Sequence, residues 1–92
     1  MLTIKSKGYG VWDLQNNGKT VFGWQIEKRT ENKKSIYYCY YACISTKTNA
    51  ERKTKKMYDK NNAFNFIISK YEEYLEIINN RTNKSFGIHG IF

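Results

Sequence analysis

One stretch of the sequence, residues 35–45, constrains the fold more than any other. It reads Ser-Ile-Tyr-Tyr-Cys-Tyr-Tyr-Ala-Cys-Ile-Ser, and its aromatic and β-branched residues predict a β-strand. Side chains alternate between the two faces of a strand, and both faces here are apolar or aromatic. One face carries Ile36, Tyr38, Tyr40, Ala42 and Ile44, and the other carries Tyr37, Cys39, Tyr41 and Cys43. A small domain with one helix covers one face of its sheet, so the second face needs another occupant.

Length and composition indicate a single small domain. The chain has 92 residues, of which 16% are aromatic, so we expect a core built largely from rings. No run of about 18 apolar residues is present, and no membrane span or membrane partner is expected. The segment Met1–Lys5 lacks the apolar region of a secretory signal. We therefore expect a cytoplasmic protein.

The two cysteines indicate neither a disulfide nor a metal site. Cys39 and Cys43 would lie ~13 Å apart on one face of a strand, which is too far for a disulfide. We interpret them as reduced packing residues. A zinc site would need two further ligands, for which His89 is the one obvious candidate, so neither a metal nor another cofactor is expected.

The choice of amino acids carries a signal about origin. Lys, Asn, Ile, Tyr and Phe are abundant, whereas Pro is absent. The abundant residues have AT-rich codons, which indicates an AT-rich genome such as that of a low-GC bacterium, its phage or a mobile element.

The net charge of +8 is concentrated in two segments. Residues 28–34 carry four cations and one anion, and residues 46–60 carry six cations and two anions. These segments flank the strand at 35–45 on both sides. Such a concentration attracts polyanions by neutralising phosphates and releasing counterions. The alternative is that the lysines keep a sheet edge hydrated and prevent aggregation.

The order of elements predicts an α+β fold, with an antiparallel meander of three or four strands packed on one C-terminal helix. Asn16-Asn17-Gly18 is typical of a hairpin turn, and a three-residue loop would place Trp12 opposite Phe22. Residues 20–28 alternate as a half-buried strand, and residues 29–34 form a polar connection to the strand at 35–45. After a loop at 46–51, residues 52–58 return as a charged edge strand.

The register decides which face of the strand at 35–45 lies in the core. We assign the even-numbered face to the core because it holds the aliphatic residues Ile36 and Ile44. It would join Trp12, Leu14, Phe22, Trp24 and Ile26. The odd-numbered face would then present Tyr9, Gln25, Tyr37 and Tyr41 outward.

The domain is expected to span residues 1–80 and to end with the helix. An apolar stripe with spacings of three and four predicts the helix over residues 60–79, with Asp59 as its N-cap. Residues 81–92 form a C-terminal tail in which Phe86, Ile88 and Phe92 alternate. We expect this tail to dock as a short strand or over the open face of the sheet.

This order of elements resembles the arm-type DNA-binding domains of phage integrases. The stretch Lys-Lys-Met-Tyr-Asp-Lys-Asn-Asn-Ala-Phe, residues 55–64, resembles the way in which such domains enter their helix. The shape also resembles single-strand-binding coactivator-like domains. Both resemblances concern element order and not specific motifs, so they imply a fold but do not fix a function.

The leading hypothesis is a small non-catalytic protein that binds DNA or RNA. Cations would follow the phosphates while aromatic rings stack on bases. Phosphate contacts are predicted for Lys28, Arg29, Lys33, Lys34, Arg52, Lys53, Lys55 and Lys56, and stacking for Tyr37 and Tyr41.

Three alternatives stay open. The first is a protein-binding inhibitor of a host defence or nucleic-acid-processing machine, whose aromatic face would meet a host protein. The second is a homodimer that buries the tyrosines of the odd face. The third is a metal-free RNase that uses His89, although nothing in the sequence places Lys or Tyr residues beside it. We do not expect an enzyme.

Overall fold

The computed structural model describes the backbone of residues 1–44 and 50–90 and the side chains of residues 1–44 and 51–80. It confirms an α+β fold, in which one antiparallel sheet packs against a single C-terminal helix. The sheet has five strands in the order β1-β2-β3-β4-β5, so each strand pairs with its neighbours along the chain. The elements are β1 Leu2–Gly8, β2 Val11–Asn16, β3 Lys19–Glu31, β4 Lys34–Ile44, β5 Ala50–Met57 and α1 Lys60–Gly90.

The sheet contains a first strand that the sequence analysis does not predict. Residues 2–8 were not assigned to any element, and they form β1 at one edge of the sheet. The predicted charged edge strand is confirmed as β5 at the other edge. The expected loop at 46–51 lies partly outside the described residues, and its last two residues belong to β5.

The β2–β3 hairpin forms where the sequence predicts it, but its turn is shorter. Asn16 pairs with Lys19, so only Asn17 and Gly18 lie in the turn. Their φ angles are 53° and 82°, the left-handed conformation that two-residue hairpin turns require. A bulge then shifts the register, and Trp12 pairs with Ile26 instead of with Phe22.

The β3–β4 hairpin has a turn of the same length. The segment 29–34 is not a polar connection, because Glu31 pairs with Lys34 and only Asn32 and Lys33 turn the chain. Their φ angles are 51° and 65°. A two-residue turn places even-numbered residues of β3 opposite odd-numbered residues of β4, and Ile26 accordingly pairs with Cys39.

This register reverses the predicted faces of β4. Trp24 and Ile26 lie under the helix, so the odd-numbered face of β4 lies there as well. Tyr37 and Cys39 are buried in the core beside Ala63 and Ile67 of the helix. The assignment of the even-numbered face to this core was therefore wrong. We call the sheet face opposite the helix the open face.

The core is built largely from aromatic rings, as the composition predicts. Trp24 contacts Tyr71 edge-on with ring centroids 4.9 Å apart, and Trp12 contacts Phe64 at 5.5 Å. Leu14, Ile26, Ile67 and Cys39 fill the space between the rings and are almost fully buried. Phe22, expected in this core, is instead 91% exposed.

The helix begins at the predicted residue and extends further than predicted. The Asp59 carboxylate accepts a hydrogen bond from the Asn62 backbone N–H at 2.9 Å, which confirms the N-cap. The helical backbone continues to Gly90, beyond the predicted end at residue 79, so residues 81–90 are helical and do not form the expected strand. The alternative, in which this segment packs over the open face, depends on side chains outside the described residues. Phe92 lies outside the described residues. Within the described part of the chain, no helix has the length and apolarity that crossing a membrane requires.

Two neighbouring aromatic residues of β3 test the assignment of the faces. Trp24→Ala should lower the free energy of unfolding by about 3–5 kcal/mol, because it removes a buried ring from the core. Phe22→Ala should change it by less than about 0.5 kcal/mol, because this side chain is exposed. Urea unfolding followed by circular dichroism measures both. Equal losses in the two variants would contradict the fold.

The buried thiol of Cys39 predicts a dependence of stability on pH. Burial raises the pKa of Cys39 to about 11, and Lys55 opposes this shift only in part. Between pH 9 and 11 the unfolded thiol ionises while the folded thiol stays protonated, so the free energy of unfolding falls as the pH rises. The slope approaches about 1.4 kcal/mol per pH unit.

Comparison of variants isolates this contribution from that of other groups that titrate in the same range. Cys39→Ala should lose this part of the alkaline slope, whereas Cys43→Ala should keep it. Urea unfolding at pH 8, 9, 10 and 11 supplies the data. A Cys39→Ala protein with the slope of the wild type would show that this thiol is not responsible.

Candidate nucleic-acid interface

The register divides the cations of β5 between the two faces of the sheet. Arg52 pairs with Ala42 and Lys56 with Tyr38, so both lie on the open face. Lys53 pairs with Tyr41 and Lys55 with Cys39, and both lie on the helix side. We call these four residues, Arg52, Lys53, Lys55 and Lys56, the basic edge. All four are exposed, because β5 is an edge strand with no neighbour beyond it.

The two tyrosines that were predicted to stack on bases lie under the helix. Tyr37 is buried and contacts Trp12, with ring centroids 6.2 Å apart. Tyr41 is half-buried and contacts Phe66 of the helix at 5.1 Å. The outward orientation of Tyr37 and Tyr41 was therefore wrong, and these rings serve the aromatic core. This follows from the parity of the two-residue turn at Asn32 and Lys33.

The open face is covered in its centre by the protein's own charged side chains. The Tyr38 ring lies between the Arg29 guanidinium, 4.8 Å from the ring centroid, and the Lys56 ammonium, 5.6 Å away. The aliphatic parts of such side chains shield apolar surface while their charged ends stay in water. Tyr38 is accordingly only 8% exposed, although no second layer of the described elements covers it. Two predicted phosphate ligands, Arg29 and Lys56, thus meet over one ring.

Two carboxylates on β3 accept hydrogen bonds from Tyr38 and Arg29. The Tyr38 hydroxyl donates a hydrogen bond of 2.5 Å to the Glu31 carboxylate, which raises the pKa of Tyr38. Arg29 donates a hydrogen bond to Glu27, and this ion pair raises the pKa of Arg29. Arg29 is therefore partly neutralised, whereas Lys56 stands opposite an aromatic ring.

The remaining predicted cations form a second group at the other end of the β3–β4 hairpin. Lys33 lies in the turn, Lys34 follows it, and Lys28 pairs with Tyr37 on the helix side. All three are exposed. The last pair between β4 and β5 joins Tyr37 to Met57, so the hairpin tip extends beyond β5. The two basic segments therefore meet at Arg29 and Lys56, while Lys33 and Lys34 lie beyond the end of β5.

Ion pairing leaves the basic edge uncompensated. Among the residues whose side chains are described, ion pairs join Lys7 to Asp13, Arg29 to Glu27 and Lys70 to Glu73. None involves a cation of β5. Lys55 instead lies 5.8 Å from the centroid of the Phe66 ring. Four positive charges within five residues of an exposed edge produce a local potential that attracts anions.

A depression on the open face was not predicted from the sequence. It has a volume of about 280 Å³ and is lined by Phe22, Gly23, Gln25, Tyr40 and Arg52. Phe22 projects outward beside Gly23, whose φ of 83° marks the bulged part of β3. Gly23 is the signal that could have revealed it, because an isolated glycine within a strand often marks a bulge.

The described part of the chain holds no group of three or more His, Cys, Asp or Glu residues that could bind a metal ion. Comparison of the chain with protein families, with curated proteins and with solved structures found no match. The functional assignment therefore depends on the charge and shape of this surface.

The hydrogen bond between Tyr38 and Glu31 can be tested by removing a single oxygen atom. Tyr38→Phe should lower the urea midpoint of unfolding, because the ring is kept but the hydroxyl donor is lost. The raised pKa of Tyr38 means that this contribution is present below pH 10 and is lost as the pH rises through the folded-state value.

Tyr40→Phe is the matched control for that measurement. Tyr40 is the next residue on the same face of β4 and is half-buried. Its substitution should leave the midpoint nearly unchanged at neutral pH. Equal midpoints for the Tyr38 and Tyr40 variants would show that the bond to Glu31 contributes nothing.

Proposed function

We propose that this chain is a non-catalytic nucleic-acid-binding protein whose primary contact is the basic edge. The observation that carries the proposal is the alignment of Arg52, Lys53, Lys55 and Lys56 on one exposed strand without carboxylate partners among the described side chains. An edge of this kind suits a polyanion because each bound phosphate releases condensed counterions.

The division of the cations between two faces supports contact along the rim of the sheet. Arg52 and Lys56 reach over the open face, and Lys53 and Lys55 reach along the helix side. A phosphate backbone that follows β5 would meet cations on both sides of the strand. Lys33 and Lys34 extend this surface past the end of β5 at the hairpin tip, and Lys28 lies level with the last residue of β5 on the helix side.

The exposed face of the helix should bind phosphate weakly, because it carries negative charge. Glu72, Glu73 and Glu76 are exposed there, and Lys70 is paired with Glu73 at 3.7 Å. Negative charge on this side supports an orientation in which the nucleic acid meets the β5 edge. The AT-rich codon preference supports a phage or mobile-element origin, with the cytoplasm as the site of action.

A second candidate function is inhibition of a host protein by direct binding. The observation that favours it is the exposure of three large aromatic residues, Tyr9 at 104%, Phe22 at 91% and Tyr58 at 68%. Exposed aromatic side chains are frequent anchors of protein interfaces. This candidate predicts a weak dependence on salt, whereas phosphate binding depends on salt steeply.

Fluorescence anisotropy with labelled single- and double-stranded oligonucleotides tests the first proposal. Affinity should fall linearly with salt on a double-logarithmic scale. Lys53→Gln combined with Lys56→Gln should reduce the slope by about 1.4 for single strands or by about 1.8 for duplex DNA, because two phosphate contacts are lost.

A double variant at the opposite edge of the sheet is the control. Lys5→Gln combined with Lys7→Gln removes the same charge from β1 and should change the slope by much less, since these cations lie four strands away from the basic edge. Thermal melting confirms that both variants fold. Absence of binding by the wild type at ~50 mM salt would refute the proposal, and equal slopes in the two variants would place the contact elsewhere.

A further inference from the structure

Phe22 occupies an unusual position for an aromatic residue of a small sheet. It lies on β3 two residues before the buried Trp24, yet it is 91% exposed. The bulge at Gly23 separates the two residues and turns Phe22 away from the helix. The ring stands beside Gln25 and Tyr40, which are residues of the open face.

Arg52 reaches the residue next to this ring, Gly23, from the edge of the sheet. Its backbone lies on β5 opposite Ala42, but its guanidinium extends across β4 to β3. A Cβ placed at Gly23 would lie 3.0 Å from a terminal nitrogen of Arg52, so the guanidinium packs closely over the bare backbone at this position. The absence of a side chain at position 23 thus brings an aromatic ring and a planar cation together.

We infer that the depression lined by Phe22, Gly23, Gln25, Tyr40 and Arg52 is a subsite for one nucleotide of a single-stranded nucleic acid. The base stacks on Phe22 and its phosphate contacts Arg52, while the Gln25 amide offers a donor and an acceptor to the base edge. This inference rests on the proposed function and specifies the form of nucleic acid that the site accepts.

The geometry favours a single strand over a duplex. A protruding ring can stack only on a base that has left its own stack, which single strands provide without the cost of unpairing. The volume of about 280 Å³ lies just below the range typical of sites for whole small molecules, about 300–1,000 Å³. A depression of this size, open to solvent, suits one unit of a longer chain.

Arg52 also connects the subsite to the basic edge. It belongs to β5 and lines the depression, so a strand bound along the edge can turn one nucleotide inward over Tyr40. A smaller adjoining depression, of about 130 Å³, shares Phe22, Gly23 and Gln25 and is bordered by Asp13, whose carboxylate is paired with Lys7. Because Lys7 is already paired, Arg52 is the cation that this subsite offers to a phosphate.

Paired substitutions at each position test the roles of the ring and the cation. Phe22→Leu should weaken binding of a labelled 20-nucleotide single strand, DNA or RNA, by roughly 5- to 100-fold, because the aromatic surface for stacking is lost. Phe22→Trp should retain binding. Arg52→Gln should lower the salt slope by about 0.7, and Arg52→Lys should leave the slope unchanged.

Because Phe22 is exposed, its variants should fold normally, which thermal melting checks. If the wild type binds with a steep salt dependence but Phe22→Leu binds as tightly as Phe22→Trp, the subsite is wrong while the proposed function stands. A duplex that binds more tightly than a single strand would also overturn the subsite.

A mononucleotide provides an independent readout. Adenosine 5′-monophosphate titrated into the isotope-labelled full chain should shift the backbone amide signals of Gly23 and Gln25 most strongly, and Phe22→Leu should abolish these shifts. Shifts confined to Lys33 and Lys34, or no shifts, would overturn the subsite. Shifts at Gly23 without oligonucleotide binding would support the subsite and reject the wider proposal.

Discussion

The two-residue turn between β3 and β4 is the constraint on which the rest of the structure depends. Asn32 and Lys33 both adopt positive φ, so Glu31 pairs with Lys34 and an even residue of β3 always faces an odd residue of β4. A loop one residue longer or shorter would reverse every side chain of β4 relative to the helix. Because both faces of β4 are apolar or aromatic, the turn, not hydrophobicity, selects the face that becomes the core.

The same constraint explains how a small domain tolerates a strand with two apolar faces. Helix α1 covers Tyr37 and Cys39, and the face with Tyr38 is covered by Arg29 and Lys56 from the two neighbouring strands. These side chains shield the ring with their aliphatic parts and hold positive charge at the surface. The cations therefore stabilise the fold as well as forming the proposed interface, and removing Lys56 has consequences for both.

The elements of the fold could be predicted largely from local signals, whereas the site could not. The β2–β3 hairpin, the charged edge strand and the Asp59 N-cap each follow from short sequence patterns with a direct physical cause. Which face of β4 lies under the helix depends on whether the β3–β4 turn has an even or an odd number of residues. The polar sequence of this turn is compatible with both lengths. The cations on β5 were identified from charge alone, but their partition between two faces needs the register.

An isolated glycine at position 23 could have signalled the bulge, but the effect of the bulge was beyond such patterns because it depends on two strands that are distant in sequence. On β3 it turns Phe22 outward, and the missing Cβ gives the Arg52 guanidinium from β5 a place to rest. If the side chains of β3 alternated strictly between the two faces, Phe22 would lie in the core with Trp24 and would not line the depression. The irregularity that costs the core one aromatic ring is thus the feature that places an exposed ring beside the basic edge, and the proposed nucleotide subsite depends on it.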